Sequence, residues 1–176
     1  MKTENKELLE PPEVFGIVEE NLYRCNGSLT LQQTEFLAPL QIKTLLLLSM
    51  ENISVPLRKF VETNKINTIH LGIKNWQPDL GWKPVSEELI KEATEIILDR
   101  SYSPILLVCS SGIKETSLVV GCLRKLQNWN FNSTIFEYRR YSTNKARYAV
   151  ELFIELFDTD LVSIPLNTPD WFIRDF

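Results

Sequence analysis

Residues 105–120 read ILLVCSSGIKETSLVV. An apolar run ends on Cys109, a short polar stretch follows, and a second apolar segment opens at Leu118. The first run has the unbroken apolar character of a strand covered on both faces. A turn from such a strand into a helix can aim successive backbone N–H groups at one point and form an anion nest. The helix N-terminus adds partial positive charge there. Gly112 supplies the backbone freedom the turn needs, and Ser110, Ser111 and Thr116 add hydroxyls. A cysteine facing such a nest is a nucleophile with a depressed pKa. The other reading makes Cys109 a small buried core residue. Spacing alone leaves both open, and Glu115 sits where such a loop usually carries a cation.

Outward from that stretch, strands alternate with helices. VFGIVEENLYRC has apolar segments either side of Glu19-Glu20-Asn21, which predicts a hairpin. SLTLQQTEFLAPL places Ser28 or Thr30 as the cap of a helix. KTLLLLS is a short buried strand, VPLRKFVETNK a helix, INTIHLGI a strand, and KNWQPDLGWKPV a loop. Ser86-Glu87-Glu88 opens a helix running to Leu98. After the cysteine the chain is mostly helical. KETSLVVGCLRKLQNW carries Leu118, Val119, Cys122, Leu123 and Leu126 on one face, and NSTIFEYRRYS and ARYAVELFIELF follow. This order implies an α/β fold with a central mixed sheet flanked by helices. Sites in such folds lie at the carboxyl ends of central strands, where Cys109 falls.

The whole chain bounds the rest. Its 176 residues, 44% hydrophobic and 24% charged, suit one domain with a substantial core. A net charge of −4 argues against general nucleic-acid binding. Three cysteines (Cys25, Cys109, Cys122) show neither a disulfide framework nor paired zinc spacing, and read as reduced thiols. Cys25 and Cys122 read as core residues. The lone His70 excludes a multi-histidine metal site and reads as a core or edge histidine. The start, MKTENKELLEPPE, lacks the apolar core of a signal peptide. TLLLL and ILLVC are too short to cross a bilayer. The expected division is a mobile lead over 1–12, a domain over 13–158, and a tail over 159–176 that packs on the domain or on a partner.

Three stretches carry a family resemblance: PPEVFGIVEENLYRCN, VGCLRKLQNWNFNSTIFEYRRYSTNKAR and ELFIELFD. From Pro11 to about Asp158 the chain resembles the plant and fungal atypical dual-specificity phosphatases, including the fungal oxidant-induced cell-cycle arrest proteins described as tyrosine-phosphatase-like. The resemblance implies a cysteine-phosphatase fold. Active members carry His-Cys, five residues, then Arg-Thr. Here Cys109 holds the nucleophile position, Gly112 the loop glycine and Thr116 the threonine, whereas Val108 replaces the histidine and Glu115 the arginine. Loop positions that are usually basic are Ser110, Ser111 and Ile113, leaving Lys114 as the one cation.

In active relatives the resemblance implies attack by the thiolate on phosphorus, a phosphocysteine, and its hydrolysis. The arginine grips the equatorial oxygens bidentately. An arginine doing comparable work in other phosphoryl-transfer sites contributes on the order of 10³–10⁵ in rate. A glutamate replaces that attraction by repulsion, ~4 kcal/mol for unit charges ~4 Å apart at effective permittivity ~20. Lys114 is adjacent, but neighbouring side chains at a helix start diverge, and a lysine lacks the guanidinium fork.

By resemblance, Asp79 in NWQPDLGW occupies a place like that of the aspartate general acid; it also reads as an ordinary Pro-Asp turn residue. Arg139, Arg140, Lys145 and Arg147 match helices that line a basic pocket in the family, some of whose members cleave inositol pyrophosphates. Each also reads as part of a solvated helix face. The resulting expectation is a cytoplasmic pseudophosphatase with neither metal nor cofactor and no contact with nucleic acid or membrane. It associates with sister phosphatase-like proteins in fungal stress or inositol-pyrophosphate signalling. Two competing readings are a working cysteine phosphatase on inositol pyrophosphates or phosphotyrosine, and a non-hydrolysing sensor of phosphorylated inositols.

Overall fold

Strand β5 (Ile105–Cys109) is buried at all five positions and lies at the centre of a five-stranded sheet of order β1-β2-β5-β3-β4. The computed structural model describes residues 9–173 except for the Lys145 side chain. Most of the expected lead over 1–12 therefore lies outside the described residues. Strands β1 (Gly16–Glu19) and β2 (Leu22–Asn26) form the antiparallel hairpin, with Asn21 turning at φ 61°. Asparagine tolerates that left-handed conformation. β2, β5, β3 (Thr44–Leu47) and β4 (Asn67–His70) run parallel.

Parallel neighbours need crossovers, and helices supply them. α1 (Leu31–Leu37) and α2 (Val55–Thr63) cover one face of the sheet together with Leu45, Leu47, Leu106 and Val108. The opposite face, with Leu46, Leu107 and Cys109, packs under α4 (Glu87–Leu98), α5 (Lys114–Leu126), α6 (Phe131–Ser142) and α7 (Tyr148–Leu156). Local chemistry sets the starts. Thr30 caps α1 in a reciprocal capping box with Gln33. Ser86 Oγ accepts from the Leu89 N–H to start α4.

Two features differ from the sequence pattern. INTIHLGI is not one strand: β4 stops at His70, and Leu71–Lys74 form a single helical turn, α3. His70 Nδ1 accepts from the Ile73 N–H at 3.2 Å, which diverts the backbone into that turn, while Nε2 is buried without a hydrogen-bond partner. α5 is not one-faced but buried all the way from Thr116 to Arg124. β5 lies beneath it, and α4, α6 and α7 close over its remaining sides. Arg124 enters that interior because its guanidinium pairs with Glu19 and Glu137 and lies 4.2 Å from the Trp129 ring centroid. The chain beyond α7 contributes to the main core, one of the two placements expected of the tail. Phe172 is buried there, and Arg100 pairs with Asp170.

No helix among the described residues is long and apolar enough to cross a membrane. Leu107 is fully buried, whereas Leu166 is fully exposed. Leu107→Ala is therefore expected to lower the unfolding free energy by about 2–5 kcal/mol. Leu166→Ala should change it by less than about 0.5 kcal/mol. Urea unfolding midpoints of the two variants measure the contrast.

Candidate active site

The carboxyl end of β5 delivers Cys109 to the turn that begins α5. Two amides converge on the Cys109 carbonyl, Gly27 N at 2.9 Å and Gly112 N at 3.1 Å. The Ser110 N–H donates to Ser49 Oγ at 2.9 Å, which ties the loop to the segment after β3. The Ile113 N–H donates to Ser111 Oγ at 3.1 Å. Gly112 turns at φ 69°, and a Cβ there would lie 2.8 Å from the Asn26 amide nitrogen. Both the dihedral and the backbone of β2 therefore demand glycine. Three of the loop amides, those of Ser110, Gly112 and Ile113, are thus committed to internal partners.

Beneath it, Cys109 is completely buried. Burial pushes its thiol pKa up; the Thr116 hydroxyl, which donates to Sγ at 3.1 Å, opposes this, and the Glu115 carboxylate reinforces it. Glu115 acts through the negative charge it holds close to the thiol. Its side chain is only 13% exposed and pairs with Lys114 Nζ at 3.0 Å. The carboxylate is thus mostly buried beside the thiol and favours the thiol over the thiolate.

Above the loop lies a cavity of about 580 Å³. Ser110, Ser111, Ile113, Lys114 and Glu115 form its floor. Glu51, Trp82, Tyr138 and Arg147 contribute to its walls. Among the described residues two carboxylates therefore face two cations. A smaller cavity of about 140 Å³ adjoins it through Glu115 and Pro84, lined by Met50, Trp76 and Leu80 among others.

The remaining sequence candidates fall elsewhere. Asp79 is exposed, outside the cavity lining, and its Oδ1 accepts from the Gly81 N–H at 2.9 Å, closing a turn. Arg139 is engaged bidentately by Glu151 at 2.7 and 2.9 Å, on the surface. Arg140 is exposed and outside the lining, and the Lys145 side chain lies outside the described residues. Arg147 lines the cavity, and its backbone N–H donates to Tyr138 Oη at 2.9 Å. Cys25 and Cys122 are buried free thiols, Cys25 pushed up to about 12 by desolvation. Among the described residues no three His, Cys, Asp or Glu side chains converge to hold a metal.

Sequence reading passed over Glu51, Trp82, Tyr138 and Arg24. Glu51 follows the carboxyl end of β3, next to β5 in the sheet, so the strand-end rule that found Cys109 also points to it. Trp82 and Tyr138 carry no comparable local signal.

A parallel sheet that ends in a buried cysteine, a glycine turn and a helix N-terminus defines the cysteine-phosphatase class. The chain belongs to the tyrosine phosphatase family, whose model matches residues 9–174. It is 43% identical over 161 residues to the probable tyrosine-protein phosphatase DG1060 of Dictyostelium discoideum, covering 92% of this chain and 95% of that one. It is 39% identical to a putative tyrosine-protein phosphatase OCA1 of Yarrowia lipolytica (92% and 64% covered). Identity to the inositol diphosphatase DSP4 of Arabidopsis thaliana is 33% (92% and 80%). Among solved structures, the core catalytic domain of the PP-IP phosphatase SIW14 from S. cerevisiae, bound to citrate, superposes with a TM-score of 0.75 at 31% identity, covering 87% of this chain and 90% of that one.

Because the Glu115 carboxylate disfavours the Cys109 thiolate, Glu115→Gln is expected to lower the pH midpoint of Cys109 alkylation by iodoacetamide. Site-resolved mass spectrometry across a pH series reads that midpoint. Gly112→Ala should destabilise the fold by more than about 1 kcal/mol, since it adds a steric clash to an unfavourable dihedral.

Proposed function

We propose that this chain is a pseudophosphatase: a member of the family that retains the loop and the cysteine but does not turn over phosphate esters. In this reading it acts in the cytoplasm through association with sister phosphatase-like proteins in inositol-pyrophosphate or stress signalling. The observation that carries the loss of turnover is the mostly buried Glu115 carboxylate beside a buried, protonation-favouring Cys109. A phosphate dianion entering the cavity meets that carboxylate at the position where active members place their arginine. Lys114 is drawn to Glu115, which neutralises the nearest cation. The association rests on the family's resemblance.

The second reading is an active phosphatase on inositol pyrophosphates, supported by the inositol diphosphatase and PP-IP phosphatase among the similar proteins. Lys114 and Arg147 in the cavity walls and the retained Thr116–Cys109 hydrogen bond favour it. A sensor that binds phosphorylated inositols without hydrolysis would use the same two cations.

Phosphate release from inositol pyrophosphates and from a phosphotyrosine peptide separates these readings, with Cys109→Ser as the control. The expected result is no release above that control. Brisk release abolished in Cys109→Ser overturns the proposal, and tight inositol-phosphate binding without release moves it to the sensor. Glu115→Arg is expected to create measurable release, since one substitution removes the repulsion and restores the fork.

A further inference from the structure

Arg24 is an unusual residue to find at the centre of a fold. It lies on β2, is 1% exposed, and has no carboxylate within ion-pair distance among the described residues. We infer that Arg24 is the positioning cation of the loop: a buried guanidinium that clamps the Gly112 carbonyl and faces Cys109 from beneath the turn.

The geometry is specific. Nη2 donates to the Gly112 carbonyl at 2.8 Å and to Ser117 Oγ at 2.9 Å. One nitrogen thereby joins the turn to the first part of α5. The guanidinium carbon lies 3.8 Å from the centroid of the Tyr141 ring, which roofs the charge from α6. In the parallel register Arg24 pairs with Leu107 and Asn26 with Cys109, so Arg24 and Cys109 project from the same face of the sheet.

Burying a guanidinium is costly unless its charge is answered. Here a carbonyl, a hydroxyl and an aromatic face answer it in part, and Nε is left without a hydrogen-bond partner. Guanidinium keeps its proton where lysine would lose it. The loop therefore holds a permanent positive charge below it even though Glu115 has made its upper side negative. That charge is oriented towards an anion at the turn, either the Cys109 thiolate or a group bound above it. The role goes beyond turnover, because it acts on the thiol and the turn whether or not the chain hydrolyses a substrate.

The test is the pH midpoint of Cys109 alkylation by iodoacetamide in the full chain, site-resolved, with Cys122 as an internal measure of core integrity. Arg24→Met removes the charge and keeps apolar bulk. Its midpoint is expected to rise by about one pH unit, about tenfold slower alkylation at a fixed pH below the midpoint, with Cys122 unchanged. A merely structural role predicts the opposite, a loosened turn and faster alkylation of Cys109. An unchanged or lowered midpoint in folded Arg24→Met overturns the inference. If Arg24→Met does not fold, the Arg24 ¹³Cζ resonance of the parent decides. It should shift with the Cys109 titration and lose that shift in Cys109→Ser; a resonance indifferent to Cys109 overturns the inference.

Discussion

Between Cys109 and Lys114 the backbone has four residues in which to leave a strand covered on both faces and enter a helix buried on nearly all sides. That confinement governs the molecule. The turn needs a left-handed residue, and the amide of Asn26 permits that residue no side chain. Its carbonyls and amides need partners, which arrive from Gly27, Ser49 and Arg24 on neighbouring segments. Three strands and the start of α5 are thereby fixed relative to one another before any ligand is considered.

The same confinement explains how the site can survive an inverted charge. In a solvent-facing loop, exchanging a cation for Glu115 would merely be screened. Here the carboxylate is mostly buried beside a buried thiol, in a medium where like charges act strongly. The structure accommodates it with Lys114 on one side and the proton of Cys109 on the other. Neither adjustment disturbs the backbone of the turn, because the supports of that backbone come from below and from β2. Shape and charge are thus separable in this loop, whose backbone supports do not involve the Lys114 and Glu115 side chains.

The polar interior follows one rule, that a buried charge requires several partners at once. Arg124 satisfies it with two carboxylates and an indole. Arg24 satisfies it with a carbonyl, a hydroxyl and a phenol ring, and with no carboxylate among the described residues. The first arrangement closes the core where β1, α5 and α6 meet. The second leaves positive potential directed at the turn.

Much of this was already written in the order of residues. Ile105–Cys109 has the composition of a doubly covered strand, Gly112 marks the turn, Ser86 opens α4, and Glu115 shows its charge by position alone. These are local signals, decided within a few residues by propensity, capping and periodicity. Tertiary structure decided the rest. His70 looks like one more strand residue, yet it ends β4 because its ring captures the Ile73 amide. Arg139 and Arg147 look alike in the sequence, but Glu151 holds one at the surface while the start of α7 places the other over the cavity. Arg24 reads as a polar hairpin residue, and only the closure of α5 and α6 over β2 buries it. Which way a charge faces, and what answers it, depends on segments far apart in the chain meeting in space, and no local pattern records that.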